Sequence, residues 1–184
     1  VSDGQQMNFP EIIDSTLREG EQAPGVSFNP AAKQAVIAGL KRVGVAEIEL
    51  GAASPLHDCL PKLFQEARGL VGTSCRLALW CRCLKEDIVF AAACQPDVLS
   101  LSIPVSDSHI KERLGKNPAW VLDCLARSIE QASALGIPQV SVGLEDASRA
   151  DPAFVIKAAQ TAARHGAMRI RLADTVGIAA FHTR

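Results

Sequence analysis

The sequence predicts a parallel α/β fold of the (β/α)8 TIM-barrel type, of which this chain carries about six of the eight βα units. Three observations lead there. Short β-type runs alternate with helical stretches, six strands with five helices between them. Polar groups recur where the strands end: Arg18 and Glu19, Glu49, Arg82, Glu145, then Asp174 and Thr175. Barrels build their sites from the C-terminal ends of many strands. No GxGxxG or phosphate-loop string follows the first strand, which weakens the competing architecture, a doubly wound nucleotide-binding sheet.

Taken in order, the first strand is the short run Glu11, Ile12, Ile13. A helix is expected over Pro30 to Val43, started by Asn29 before Pro30 and stopped by Gly44. Val45 to Leu50 alternates at period two and reads as a strand, with Glu47 and Glu49 on one face and Ile48 and Leu50 on the other. In a barrel the apolar face packs on the helices, which turns both glutamates to the lumen. Helices follow over Pro55 to Leu70, Lys85 to Ala93, Pro118 to Leu135 and Pro152 to His165. Strands follow over Arg76 to Trp80, Asp97 to Pro104, Gln139 to Leu144 and Arg169 to Ala173. Val1 to Gln6 is polar and precedes Met7; residues 1–8 are expected to be a flexible N-terminus and 9–184 the partial barrel domain.

Composition bounds the function classes. The chain has 184 residues, 48% hydrophobic and 21% charged, enough for one domain with a real core. A net charge of −1 points to neither nucleic acid nor an anionic membrane as partner. No apolar run reaches the roughly 20 residues that span a bilayer, and the N-terminus lacks signal-peptide character. The six cysteines show no CxxC spacing. Cys81 and Cys83, two apart, offer a weak soft-metal pinch, but buried reduced thiols in a cytoplasmic protein are the better expectation.

The most informative stretch is IIDSTLREGEQ, Ile12 to Gln22. A strand runs into Asp14, Arg18, Glu19, Glu21 and Gln22, broken by Gly20 and followed by Pro24 and Gly25. A strand ending in clustered charge and a Gly/Pro loop reads as the mouth of a binding site. Carboxylates there suit a hard divalent cation, and an arginine can fork onto a carboxylate or carbonyl oxygen. A solvated loop with local ion pairs is the alternative.

The string DSTLREGEQAPGVSF closely resembles the first-strand signature of the homocitrate and isopropylmalate synthase family, the DRE-TIM metallolyases. VGLEDASRAD (Val142 to Asp151) and RLADTVG (Arg171 to Gly177) agree with it in order and position. WCR, IPVSD, EDASRAD and ADTVG resemble its nitrogen-fixation homocitrate synthase branch. The resemblance implies a barrel and a Claisen-type condensation of acetyl-CoA with a 2-oxo acid, 2-oxoglutarate in that branch. It also implies a divalent metal (Mg2+, Mn2+ or Zn2+), and a homodimer for the full-length protein. By residue, it implies that Arg18 contacts the 2-oxo acid, Glu19 binds the metal, and Gln22 and Glu49 meet the substrate. Glu145 serves the acetyl-CoA side, Arg82 matches an arginine of the branch, and Thr175 hydrogen-bonds a substrate carboxylate.

Plainer readings stand beside these. Glu49 and Arg82 each suit a structural ion pair at the barrel mouth, and Asp174–Thr175 suits a simple turn or cap. Asp151 before Pro152 is a helix cap, which leaves Glu145 unexplained. His109 and Lys111 lie on the loop after the fourth strand without an implied substrate contact. A closed barrel takes eight strands and typically about 250 residues. The family's seventh-strand HxH pair has no counterpart among His57, His109, His165 and His182. These 184 residues alone are therefore expected to be inactive, with open sheet edges. Isopropylmalate or citramalate synthesis is the alternative within the class, and a non-catalytic barrel fragment the alternative outside it.

Overall fold

The structure is a computed structural model that describes residues 11–56 and 59–179. The expected flexible N-terminus 1–8, and the positions of His57 and His182, lie outside the described residues. Six strands form one parallel sheet in chain order: β1 (Ile13–Asp14), β2 (Glu47–Ala52), β3 (Arg76–Arg82), β4 (Val98–Pro104), β5 (Gln139–Glu145) and β6 (Arg169–Leu172). Every neighbouring pair is parallel. Five helices cross between them: α1 (Pro30–Val43), α2 (Leu60–Val71), α3 (Lys85–Ala93), α4 (Pro118–Ala134) and α5 (Pro152–Arg164).

The helix starts are local chemistry. Asn29, Asn117 and Asp151 each precede a proline, and their side chains accept from the backbone N–H of Ala32, Trp120 and Ala153. Proline gives up an N–H that the first turn does not use, while the Asn or Asp oxygen satisfies one that it leaves free. The second helix departs from expectation: it begins at Leu60 rather than Pro55, with Pro61 in its first turn. Strands β3 and β5 run farther than expected, so that Arg82 and Glu145 are their last residues.

Alternation along the strands sorts the side chains. Ile48, Leu50, Leu77, Leu79, Leu99, Leu101, Val142 and Leu144 are fully buried and belong to one core with Phe64, Ile88, Leu125 and Ile129 of the helices. The other face curls around a lumen. There β4 and β5 present small residues, Ser100, Ser102, Ser141 and Gly143, and the space is taken by Trp80 and by two arginines of β6. Arg169 reaches across to Glu47, with Nη2–Oε1 at 2.6 Å and Nη1–Oε2 at 3.1 Å. One tier nearer the strand C-termini, Arg171 Nη1 lies 3.4 Å from Glu49 Oε1. Both glutamates are buried and both face the lumen, as the period-two reading of β2 requires.

Candidate active site

The segment after β1 folds back on itself. Leu17 is fully buried and anchors the turn, while the N–H groups of Arg18 and Glu19 both donate to Ser15 O. The charge cluster then divides by role. Glu21 is structural: its carboxylate accepts from Phe28 N at 3.1 Å and from Lys33 Nζ at 2.8 Å, tying the loop to α1. Arg18 is directed at the barrel mouth, where its Nε donates to Glu49 Oε2 at 2.7 Å. Its guanidinium carbon stands 5.8 Å from the centroid of the Trp80 ring, within cation–π range. Arg18 is also paired with Glu19. With Glu49 behind and Trp80 beneath, the guanidinium is fixed before any ligand arrives, and preorganisation of this kind lowers the cost of binding.

A cavity of about 570 Å3 opens there, lined by Arg18, Glu19, Trp80, Ser102, Glu145, Arg171, Asp174 and Thr175. Glu145 Oε1 accepts from Ser102 Oγ at 2.7 Å, and Arg113 Nη1 lies 3.5 Å from its other oxygen. Beside it Asp146 holds a left-handed backbone, φ 58°, unusual for a residue with a side chain. Its buried carboxylate is gripped by Arg149, with Nη2–Oδ2 at 2.7 Å, and receives the Ser106 hydroxyl. The Arg149 hydrogen bonds hold this carboxyl below the usual carboxylate range, with the Ser106 hydroxyl assisting. The Asp146 N–H in turn donates to Thr175 Oγ1 at 2.9 Å, which couples the ends of β5 and β6. Asp174 caps its own turn, accepting from the N–H of Ile178 and Ala179.

Of the residues singled out in sequence, Arg18, Glu19, Glu145 and Thr175 line this cavity, and Glu49 braces Arg18. Two stand apart. Arg82 turns toward α3, with Nε 2.6 Å from Oδ2 of the buried Asp87, and borders a neighbouring cavity with Cys83 and Trp120 that meets the first at Ser102 and Glu145. For Arg82 the ion-pair reading is the observed one. Gln22 lines a second neighbouring cavity, which also includes Arg18, Lys33 and Leu60. Sequence reasoning passed over Trp80, Ser102 and Arg171. Their signal was position: each falls on the lumen-facing register of its strand.

Among the described residues, no three His, Cys, Asp or Glu side chains gather as a metal cluster. Glu19 offers one carboxylate to the cavity, while zinc takes about four ligands and Mg2+ about six. The residues described therefore do not form a complete metal site. Cys81 is fully buried and Cys83 half-buried, and neither belongs to such a cluster.

Together these features define a partial (β/α)8 barrel with a polar cavity at the C-terminal ends of its strands. The chain belongs to the HMGL-like family, whose model matches residues 9–183. It is 41% identical to homocitrate synthase of Frankia alni over 91% of this chain and 47% of that protein. It is 36% identical to 2-isopropylmalate synthase 2 of Caldanaerobacter subterraneus subsp. tengcongensis, over 90% of this chain and 42% of that protein. The chain thus spans about half the length of these curated relatives. Its fold matches hydroxymethylglutaryl-CoA lyase of Pseudomonas aeruginosa with a TM-score of 0.76, over 92% of this chain and 59% of that one, at 18% identity. No helix among the described residues is long and apolar enough to cross a membrane.

Proposed function

We propose that the protein condenses acetyl-CoA with a 2-oxo acid, and that 2-oxoglutarate is the acceptor, giving homocitrate. The observation that carries this is the shared cavity: a braced guanidinium, Arg18, faces a strand-end carboxylate, Glu145, across about 570 Å3. Likeness to homocitrate synthases supports it, with 41% identity to the Frankia alni protein.

In the proposed reaction Glu145, oriented by Ser102, lies on the acetyl-CoA side and its carboxylate takes up a methyl proton, leaving the enolate. The enolate carbon forms a bond to the ketone carbon of the 2-oxo acid, and the carbonyl electron pair moves to oxygen. Arg18 stabilises that developing charge, since donors aimed at a nascent oxyanion lower the barrier most where they are preorganised. Thr175 accepts from Asp146, so its own hydroxyl hydrogen is free to reach the substrate carboxylate, and Gln22 contacts the substrate from the adjoining cavity. Hydrolysis of the thioester then releases coenzyme A. Glu19 is proposed as one ligand of a divalent ion, and no step above is routed through it.

Likeness to an isopropylmalate synthase at 36% identity supports a second reading, with a branched or short 2-oxo monocarboxylate as acceptor. The test is release of free coenzyme A by the full-length protein, given acetyl-CoA and 2-oxoglutarate, 2-oxoisovalerate or pyruvate in turn, with Mn2+ or Mg2+. Turnover that depends on 2-oxoglutarate is expected, and no turnover with any 2-oxo acid would overturn the proposal. A polypeptide of these 184 residues alone is expected to show none.

A further inference from the structure

The two arginines of β6 are built alike and used differently. Arg169 spends all three guanidinium nitrogens inside the protein: Nη1 and Nη2 on Glu47, and Nε on Ser141 Oγ at 3.2 Å. Arg171, one tier closer to the cavity, makes a single hydrogen bond among the described residues, the long 3.4 Å one to Glu49. Its Nε is buried without a partner among those residues. Glu49 does not complete it: its other carboxylate oxygen receives Arg18 Nε at 2.7 Å instead. A guanidinium has five N–H donors, and a buried one left idle costs free energy that a native structure must explain. Arg171 does border the cavity of about 570 Å3, and Gly143 keeps its approach clear: a Cβ there would already touch Arg171 Nη2 and Ser102 Oγ, each at 3.6 Å.

We infer that Arg171 is a specificity-determining residue that receives the second carboxylate of a 2-oxo dicarboxylate whose keto end lies at Arg18; this rests on the 2-oxo acid condensation proposed above. A planar fork is matched to a carboxylate. Glu49 holds one arginine on each of its two oxygens, so the two guanidinium groups are close neighbours at a fixed spacing, which suits a dianion a few carbons long. A 2-oxo acid with an apolar tail leaves the Arg171 donors unpaired, and sites built to hydrogen-bond a missing group reject such analogues strongly.

The test compares full-length wild type with R171M and R171K. Coenzyme A release is followed with 2-oxoglutarate and with 2-oxoisovalerate, and 2-oxoglutarate binding is measured by calorimetry. In R171M, kcat/KM for 2-oxoglutarate should fall by roughly 100-fold or more, mainly through KM, and calorimetric affinity should weaken with it. The rate with 2-oxoisovalerate should hold or rise. R171K should keep part of the preference, and it carries the test if R171M does not fold. An unchanged preference in R171M, or an equal loss with both acids, overturns the inference. So does a wild type that accepts 2-oxoisovalerate and refuses 2-oxoglutarate, although condensation itself then stands. A wild type that condenses no 2-oxo acid removes the underlying function and this assignment together.

Discussion

Arg18 and Glu49 lie 31 residues apart in the chain and meet through a 2.7 Å hydrogen bond from Nε to Oε2. Glu49 is 1% exposed, so the pair joins a buried carboxylate to a guanidinium that borders the cavity. Nε makes the brace and Nη1 the pair with Glu19, and a lysine has no equivalent of that division. Arg18→Lys should therefore cost about 2–4 kcal/mol of transition-state stabilisation, the scale of losing one oxyanion donor. Steady-state kinetics of the full-length protein would check this, and turnover within a few-fold of wild type would remove Arg18 from the proposed role.

Glu47 is fully buried and bonded by Arg169 and Arg76. It sits at the N-terminal end of its strand, where barrels keep stability rather than catalysis. Glu47→Ala should destabilise the fold by about 3–5 kcal/mol, the range for leaving one partner of a buried pair uncompensated. Urea unfolding should show a lowered midpoint, while Km values of the surviving native protein stay near wild type.

Asp146 gives a pH signature. Its carboxyl is held below the ordinary range by Arg149, so the unfolded chain binds its proton more readily than the folded one does. The stability it adds is complete above the unfolded value of about 3.9 and is lost as pH falls through the folded pKa. Wild type should lose stability steeply below about pH 4. Asp146→Asn should be less stable at neutral pH yet flatter in acid, as urea midpoints across the acid range would show.

Thiol chemistry separates the cysteines. Cys59 is exposed, whereas burial pushes the Cys94 thiol up to about 11 and the Cys81 thiol up as well. Only the thiolate attacks reagents such as dithionitrobenzoate. Native protein at pH 8 should therefore label quickly at Cys59, with Cys81 and Cys94 reacting only on unfolding. Peptide mapping of the labelled sites reads the result.

Much of this was legible in the sequence because it is local. Period-two alternation in β2 turned Glu47 and Glu49 inward, and Asn29–Pro30 announced α1. The β6 arginines were not legible, because Arg-x-Arg on a short strand reads as a solvated face, and their partners lie 122 positions away. Arg82 was ambiguous for the converse reason: Asp87 is a partner only five residues on, and only geometry shows that the two pair. The start of α2 was misplaced because Pro55 and Pro61 both carry a helix-opening signal, and the chain uses the later one.

The crossing of the lumen from β6 to β2 also sets a timetable for synthesis. A ribosome adds about 5–20 residues per second, so the 122 residues between Glu47 and Arg169 take about 6–24 s to appear. Throughout that interval two glutamates destined for burial have no cation from β6, while Arg18 precedes both and Arg76 follows Glu47 by 29 residues. Arg18 and Arg76 are thus the lumen counterions available to the two glutamates before β6 is made, and Arg169 and Arg171 join them only with the sixth strand.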